Sequence, residues 1–235
     1  MRSEAESRAT HEGHLPAWHP SALVALILAV ALAGTVLSCL GTTIAPPSAT
    51  RSRVIDAYLP AIIVQWALLL YVTRIGRPRS ALGALLGRHW EGSGRALTDM
   101  ALGVLGALLI TLVETAWRAL TQGALPAAVS AFLPASRGEH AAWIVVAASA
   151  GFCEEVVYRG YLQTELAART RRPNLGTLLQ AALFAVAHSE QGPGAVARSL
   201  LYGIALGALA RGRKSLLPGI VCHAGVDLAA GFIGH

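Results

Sequence analysis

Long apolar runs alternate along this chain with short stretches rich in arginine, proline and glycine. Residues 21–40 carry no charged side chain, 54–73 carry Asp56 near one end, and 96–117 carry Asp99 near one end and Glu114 near the other. A helix crosses the ~30 Å hydrocarbon core of a bilayer with about 20 apolar residues, so each of these runs predicts one crossing. Asp99 and Glu114 lie close enough to the ends of their run to reach the interface by snorkelling, a structural role. Residues 123–134 are apolar as well, but they are too few between their breakers to cross and predict a re-entrant or interfacial helix.

The second half continues the pattern with one change. Residues 141–168 predict a long helix whose last turns, with Glu165 and Arg169, leave the membrane. Arg171, Arg172 and Pro173 turn the chain, and Asn174 is expected to cap a helix running to His188. Gly192, Pro193 and Gly194 break that helix, and 195–210 and 215–233 are the last two spans. The whole predicts an all-α, polytopic transmembrane helix bundle of seven helices, or eight if 123–134 also crosses. It divides into a polar tail (1–20), N-terminal transmembrane helices (21–140) and C-terminal helices (141–235), with 21–235 as one structural domain.

Composition agrees with this class: 54% of the residues are hydrophobic and 14% charged, where soluble domains carry about 25% charge. The net charge of +6 does not point to nucleic acid, because the basic residues sit in loops between apolar runs rather than on one soluble face. With the N-terminus inside, the inner segments hold Arg2, Arg8, Arg74, Arg77, Arg79, Arg88, Arg95, Arg169, Arg171, Arg172, Arg211, Arg213 and Lys214, whereas the outer ones hold only Arg51, Arg53, Arg118 and Arg137. That asymmetry obeys the positive-inside rule and predicts a cytoplasmic N-terminus. Arginine in preference to lysine, with abundant alanine and glycine, suggests a bacterial chain and hence the plasma (inner) membrane. The first run lacks a cleavage context, so it reads as an uncleaved helix rather than a signal peptide. Cys39, Cys153 and Cys222 lie inside apolar runs without CxxC spacing and read as small buried hydrophobes. His11, His14 and His19 belong to the polar tail.

The change lies at Glu154, Glu155 and Arg159, three ionisable groups inside an otherwise apolar helix. Charges there are costly and mark a functional site. Glu155 and Arg159 are i,i+4 and can pair, while Glu154 lies about 100° round the helix and stays available. Other polar groups fall at the same depth. Counted from the turn at 169–173, Glu154 and His188 both lie about 22 Å in, and His223 and Asp227, i,i+4 on the last helix, lie about 14 and 20 Å from Lys214. Phe184 shares a face with His188. Glu154, His188, His223 and Asp227 can therefore converge from three helices.

A carboxylate and an imidazole holding one water can hydrolyse an amide by general acid-base catalysis, with a second imidazole stabilising the oxyanion. Glu154, His188 and His223 are equally enough ligands for a catalytic Zn2+ with an open fourth position. The spacing leaves both chemistries open. There is no HExxH and no Gly-rich phosphate loop. A proton-coupled transporter would show inverted repeats and broken helices in both halves, whereas the buried titratable clusters all fall in the C-terminal half. A noncatalytic membrane scaffold that keeps the polar network for stability is the alternative to an enzyme.

EEVVYR at 154–159, FAVAH at 184–188 and HAGVD at 223–227 resemble the EExxxR, FxxxH and HxxxN/D motifs of the CPBP family, in order and approximate spacing. That family comprises the type II CAAX prenyl endopeptidases and the bacterial bacteriocin-processing or immunity (Abi) proteins. The resemblance covers about residues 141–233 and implies an intramembrane endopeptidase built around a conical polar cavity. It implies that Glu154 activates water with His188, that His223 and Asp227 stabilise the oxyanion, and that Glu155, Arg159 and Phe184 support them. The glutamate mechanism it implies requires no metal. For a bacterial chain the expected substrate is a membrane-presented peptide or protein segment in the lipid bilayer, rather than a prenylated CAAX protein, with no nucleic-acid partner. The immunity-type members supply the noncatalytic alternative.

Overall fold

The computed structural model describes residues 18–39, 52–75, 86, 93–121, 123, 125 and 127–233, and every regular element among them is helical. Residues 1–17 of the polar tail, with His11 and His14, and most of the 74–95 loop, with Arg77, Arg79 and Arg88, lie outside the described residues, while 18–20 already belong to the first helix. Eight helices follow in order. They are α1 (Trp18–Cys39), α2 (Leu59–Ile75, entered through a π turn at Val54–Tyr58), α3 (Ser93–Thr121), α4 (Ala127–Phe132), α5 (Arg137–Thr170), α6 (Pro173–Val186), α7 (Pro193–Arg213) and α8 (Leu217–Ile233).

Four of these, α2, α3, α5 and α7, are long and apolar enough to cross a membrane; α6, α8 and the apolar part of α1 are shorter apolar helices. The chain is thus a multi-pass membrane bundle. Lipid-facing side chains clothe its outside: Leu105, Leu108, Leu109, Leu112 and Val113 on α3 are all exposed, because hydrocarbon does not penalise them. α5 is the central rod, with 61% of its apolar window enclosed by protein against 33% or less for the other three long helices.

Local chemistry explains the boundaries. α5 starts at Arg137 rather than at 141, because Ser136 and Glu139 form a capping box: Ser136 Oγ accepts from the Glu139 N–H (3.3 Å) and Glu139 Oε2 from the Ser136 N–H (3.0 Å). The π turn that opens α2 precedes Pro60, which has no N–H for the regular i−4 bond; the neighbouring Leu59 N–H reaches back to Val54 instead. Asn174 does not cap α6. Pro173 takes the first helical position after an extended Arg172, where a missing N–H costs nothing. α6 ends at Val186, so His188 lies in the turn beyond it rather than on the helix, followed by a 3-10 turn at Ser189–Gln191. Gly192, at φ +94°, makes the reversal into α7, which opens on Pro193. Thr35 of α1 steadies this turn through a hydroxyl contact to Ser189 (2.8 Å).

Polar ties join helix ends that the predicted topology puts on one side. Arg53, before α2, pairs with Glu139 of α5 (3.1 Å), over an aromatic cluster of Tyr58, Phe132 and Trp143. At the opposite side Asp99 of α3 is not snorkelling: its side chain is 2% exposed and paired to Arg213 of α7 at 2.7 Å. Glu114 pairs with Arg198 (3.3 Å) and accepts from the Tyr202 hydroxyl. Burial without a partner costs a carboxylate several kcal/mol in this setting, which is why each meets a cation.

Candidate active site

α5 changes winding where its charges begin. After Glu154 the backbone runs as a π-helix from Glu155 to Leu162. Thr164 steadies its end by donating to the carbonyls of Gly160 (2.6 Å) and Tyr161 (2.8 Å). Such wide turns are rare and recur at functional sites. Within this segment Glu155 and Arg159 pair at 3.0 Å, both side chains fully enclosed.

Glu155 does more than neutralise Arg159. Its Oε1 also meets Nδ1 of His223 on α8 at 3.1 Å. A carboxylate accepts, so Nδ1 carries the proton and Nε2 is turned to the other side of the ring. There it faces two further carboxylates, Glu154 Oε2 at 4.0 Å and Asp227 Oδ2 at 3.7 Å. Glu154 therefore does not point away from its neighbour's partner; both glutamates approach one imidazole, from opposite edges. Their environments differ sharply. Glu155 is sealed, while the Glu154 and Asp227 side chains keep 22% and 32% of their surface and His223 keeps 11%.

Phe184 joins the second histidine to this group. Its ring lies 4.6 Å from that of His188 and 5.9 Å, edge-on, from that of His223, with the Arg159 guanidinium 4.3 Å over it. His188 Nδ1 donates to the Phe184 carbonyl (2.7 Å). A carbonyl can only accept, so this bond fixes the tautomer and leaves Nε2 with its lone pair outward in the neutral ring. His188 is also within electrostatic reach of Asp227. The structure thus gathers Glu154, Glu155, Arg159, Phe184, His223 and Asp227 through direct contacts, and attaches His188 through Phe184.

Close helix approach makes these distances possible. A Cβ on Gly151 of α5 would lie 2.8 Å from Ala224, and one on Gly219 of α8 would lie 2.7 Å from Glu155 Oε2. Small residues at such crossings let two backbones meet. Trp143 fixes the far end of α8 by donating from Nε1 to the Asp227 carbonyl (2.8 Å), across Gly231.

Two contributors escaped the sequence reading. Gln65, on α2, donates from Nε2 to Glu154 Oε1 (3.3 Å), and its neighbour Trp66 donates to Ser149 of α5 (3.1 Å). The available signal was an amide alone in the middle of an apolar run. Trp143 gave no signal beyond its aromaticity.

The set suggested for Zn2+ does not fit a metal as arranged. His188 reaches this group only through Phe184, and among the described residues no three His, Cys, Asp or Glu side chains are grouped to hold an ion. A tetrahedral site needs convergent lone pairs at about 2 Å from one point.

Comparison with known families finds a match over part of the chain. Residues 136–229 fit the family described as Type II CAAX prenyl endopeptidase Rce1-like, a protease family and consistent with the CPBP resemblance. No curated protein and no solved structure matches the chain.

Proposed function

From a multi-pass helical bundle whose residues 136–229 match the model of the Type II CAAX prenyl endopeptidase Rce1-like family, we propose an intramembrane endopeptidase that cleaves a membrane-presented peptide or protein with a water activated by Glu154. The observation that carries this reading is the division of labour around His223: one glutamate sealed against its Nδ1, another, partly accessible, facing its Nε2.

The steps balance without a cofactor. Glu154 takes a proton from water lying beside the His188 ring. The hydroxide attacks the scissile carbonyl carbon, and the tetrahedral oxyanion is held by the Nε2–H of His223 as the imidazolium, its other proton kept on Nδ1 against Glu155, with Asp227 contributing as a donor in its protonated form. The carboxyl of Glu154 then returns its proton to the leaving nitrogen, the C–N bond breaks, and a carboxylic acid and an amine form, the acid passing its proton to the amine as they depart as carboxylate and ammonium. Glu155 and Arg159 keep the His223 ring in place. No step passes through a metal.

The substrate proposed is a peptide or protein segment lying in or against the bilayer. The basic loops support a cytoplasmic N-terminus, and the arginine-rich composition supports a bacterial plasma membrane. The deciding experiment compares purified wild type with Glu154→Gln on a membrane-presented peptide library. Cleavage by wild type alone is expected. Equal cleavage by both removes Glu154 as the base, and no cleavage by either favours the noncatalytic scaffold.

A further inference from the structure

We infer that Gln65, on a helix outside the family-matched stretch, is a positioning residue for the attacking water, gripping Glu154 with one end of its amide and the water with the other. The inference rests on the endopeptidase reading above and deepens it.

Three observations converge. The first is the contact itself: Gln65 Nε2 lies 3.3 Å from Glu154 Oε1. Because a carboxylate accepts, the N–H end of the amide must face it, and the carbonyl end then faces away. The second is that this carbonyl, Gln65 Oε1, is sealed from the surface and has no hydrogen-bond partner in the protein. Buried polar atoms are nearly always satisfied, and a water held between Gln65 and Glu154 supplies what this one lacks. The third is that α2 is held against α5 at this level. The next residue, Trp66, is tied to α5 by its bond to Ser149 and by the Phe152 ring 6.2 Å away. Gln65 and Glu154 thus belong to one fixed layer between α2 and α5.

A water has two hydrogens. The base takes one, and holding the other aims a lone pair at the substrate carbonyl. A carboxylate oxygen on Glu154 and an orphan carbonyl one amide away form such a pair of acceptors. The Nε2–H bond to Glu154 also settles which carboxylate oxygen stays free: Oε1 is engaged by Gln65, leaving Oε2, the atom that faces His223. Gln65 exchanges no proton in the reaction.

The test is Gln65→Met, which keeps length and apolar packing and removes both ends of the amide, run beside Glu154→Gln and wild type in detergent or vesicles. The expected result is a fall in kcat of about 10-fold or more, the range for hydrogen bonds to charged groups, with KM within about twofold and the melting temperature unchanged. An unchanged kcat in Gln65→Met with a dead Glu154→Gln overturns the inference and leaves the endopeptidase reading standing. So does a raised KM at constant kcat, which makes Gln65 a substrate-binding group, or a loss of kcat that tracks a lowered melting temperature, which makes it a packing residue. Equal activity in Glu154→Gln and wild type overturns the enzyme reading itself and the inference with it.

Discussion

Glu155 stands between Arg159 and His223, its Oε1 at 3.0 Å from the guanidinium and 3.1 Å from the imidazole. One enclosed carboxylate therefore ties the π segment of α5 to α8. Removing one member of a buried pair strands the other charge, at a cost of about 3–5 kcal/mol. Glu155→Ala is expected to lower the melting temperature sharply, whereas Glu155→Gln keeps the shape and loses activity first. Thermal unfolding followed beside peptide cleavage separates the two effects.

Gly219 leaves room for that carboxylate. A methyl there would meet Glu155 Oε2 at 2.7 Å, while Gly94 at the start of α3 has nothing within 4 Å. Gly219→Ala should displace Glu155 from His223 and cut cleavage at least tenfold; Gly94→Ala should leave it unaltered. Parallel activity measurements on the two variants decide.

Asp99, 2% exposed, pairs with Arg213, which keeps 30% of its surface, and so ties α3 to α7. Arg213→Ala removes this partner and is expected to lower the melting temperature, whereas Arg213→Lys keeps the charge and should recover most of the loss. Thermal unfolding of the two variants beside wild type decides.

Metal removal should be without effect. Dialysis against chelator followed by cleavage assays is expected to give the untreated rate. A rate restored only by added Zn2+ would overturn the glutamate-water mechanism.

Sidedness gives a further test. Single cysteines at Gly94 and Lys214 should be labelled from one face of the membrane and those at Arg53 and Arg137 from the other, with the first pair cytoplasmic. Labelling of all four from one side would break the seven-crossing topology.

Much of this was readable in advance because burial in lipid imposes simple rules. Runs of twenty apolar residues gave the long helices, and ionisable residues in those runs gave Glu154, Glu155, Arg159, His223 and Asp227. What escaped depended on contacts between helices or on local backbone detail. The π winding after Glu154 depends on carbonyls that Thr164 satisfies. Asp99 looked like a snorkelling end residue because Arg213, its partner, is more than a hundred positions away. Asn174 looked like a cap beside a proline that starts the helix itself. Gln65 is ordinary in sequence and acquires meaning only beside Glu154.

α6 has 14 residues, about 21 Å of helix where the hydrocarbon layer is ~30 Å thick. The turn it makes into α7 at His188–Gly192 carries polar side chains, and α7, with 21 residues, is long enough to cross on its own. A helix that short packed against one that long is accommodated by tilt or by local thinning of the bilayer, and thinning around α6 is the route by which solvent is expected to reach Glu154 and His188.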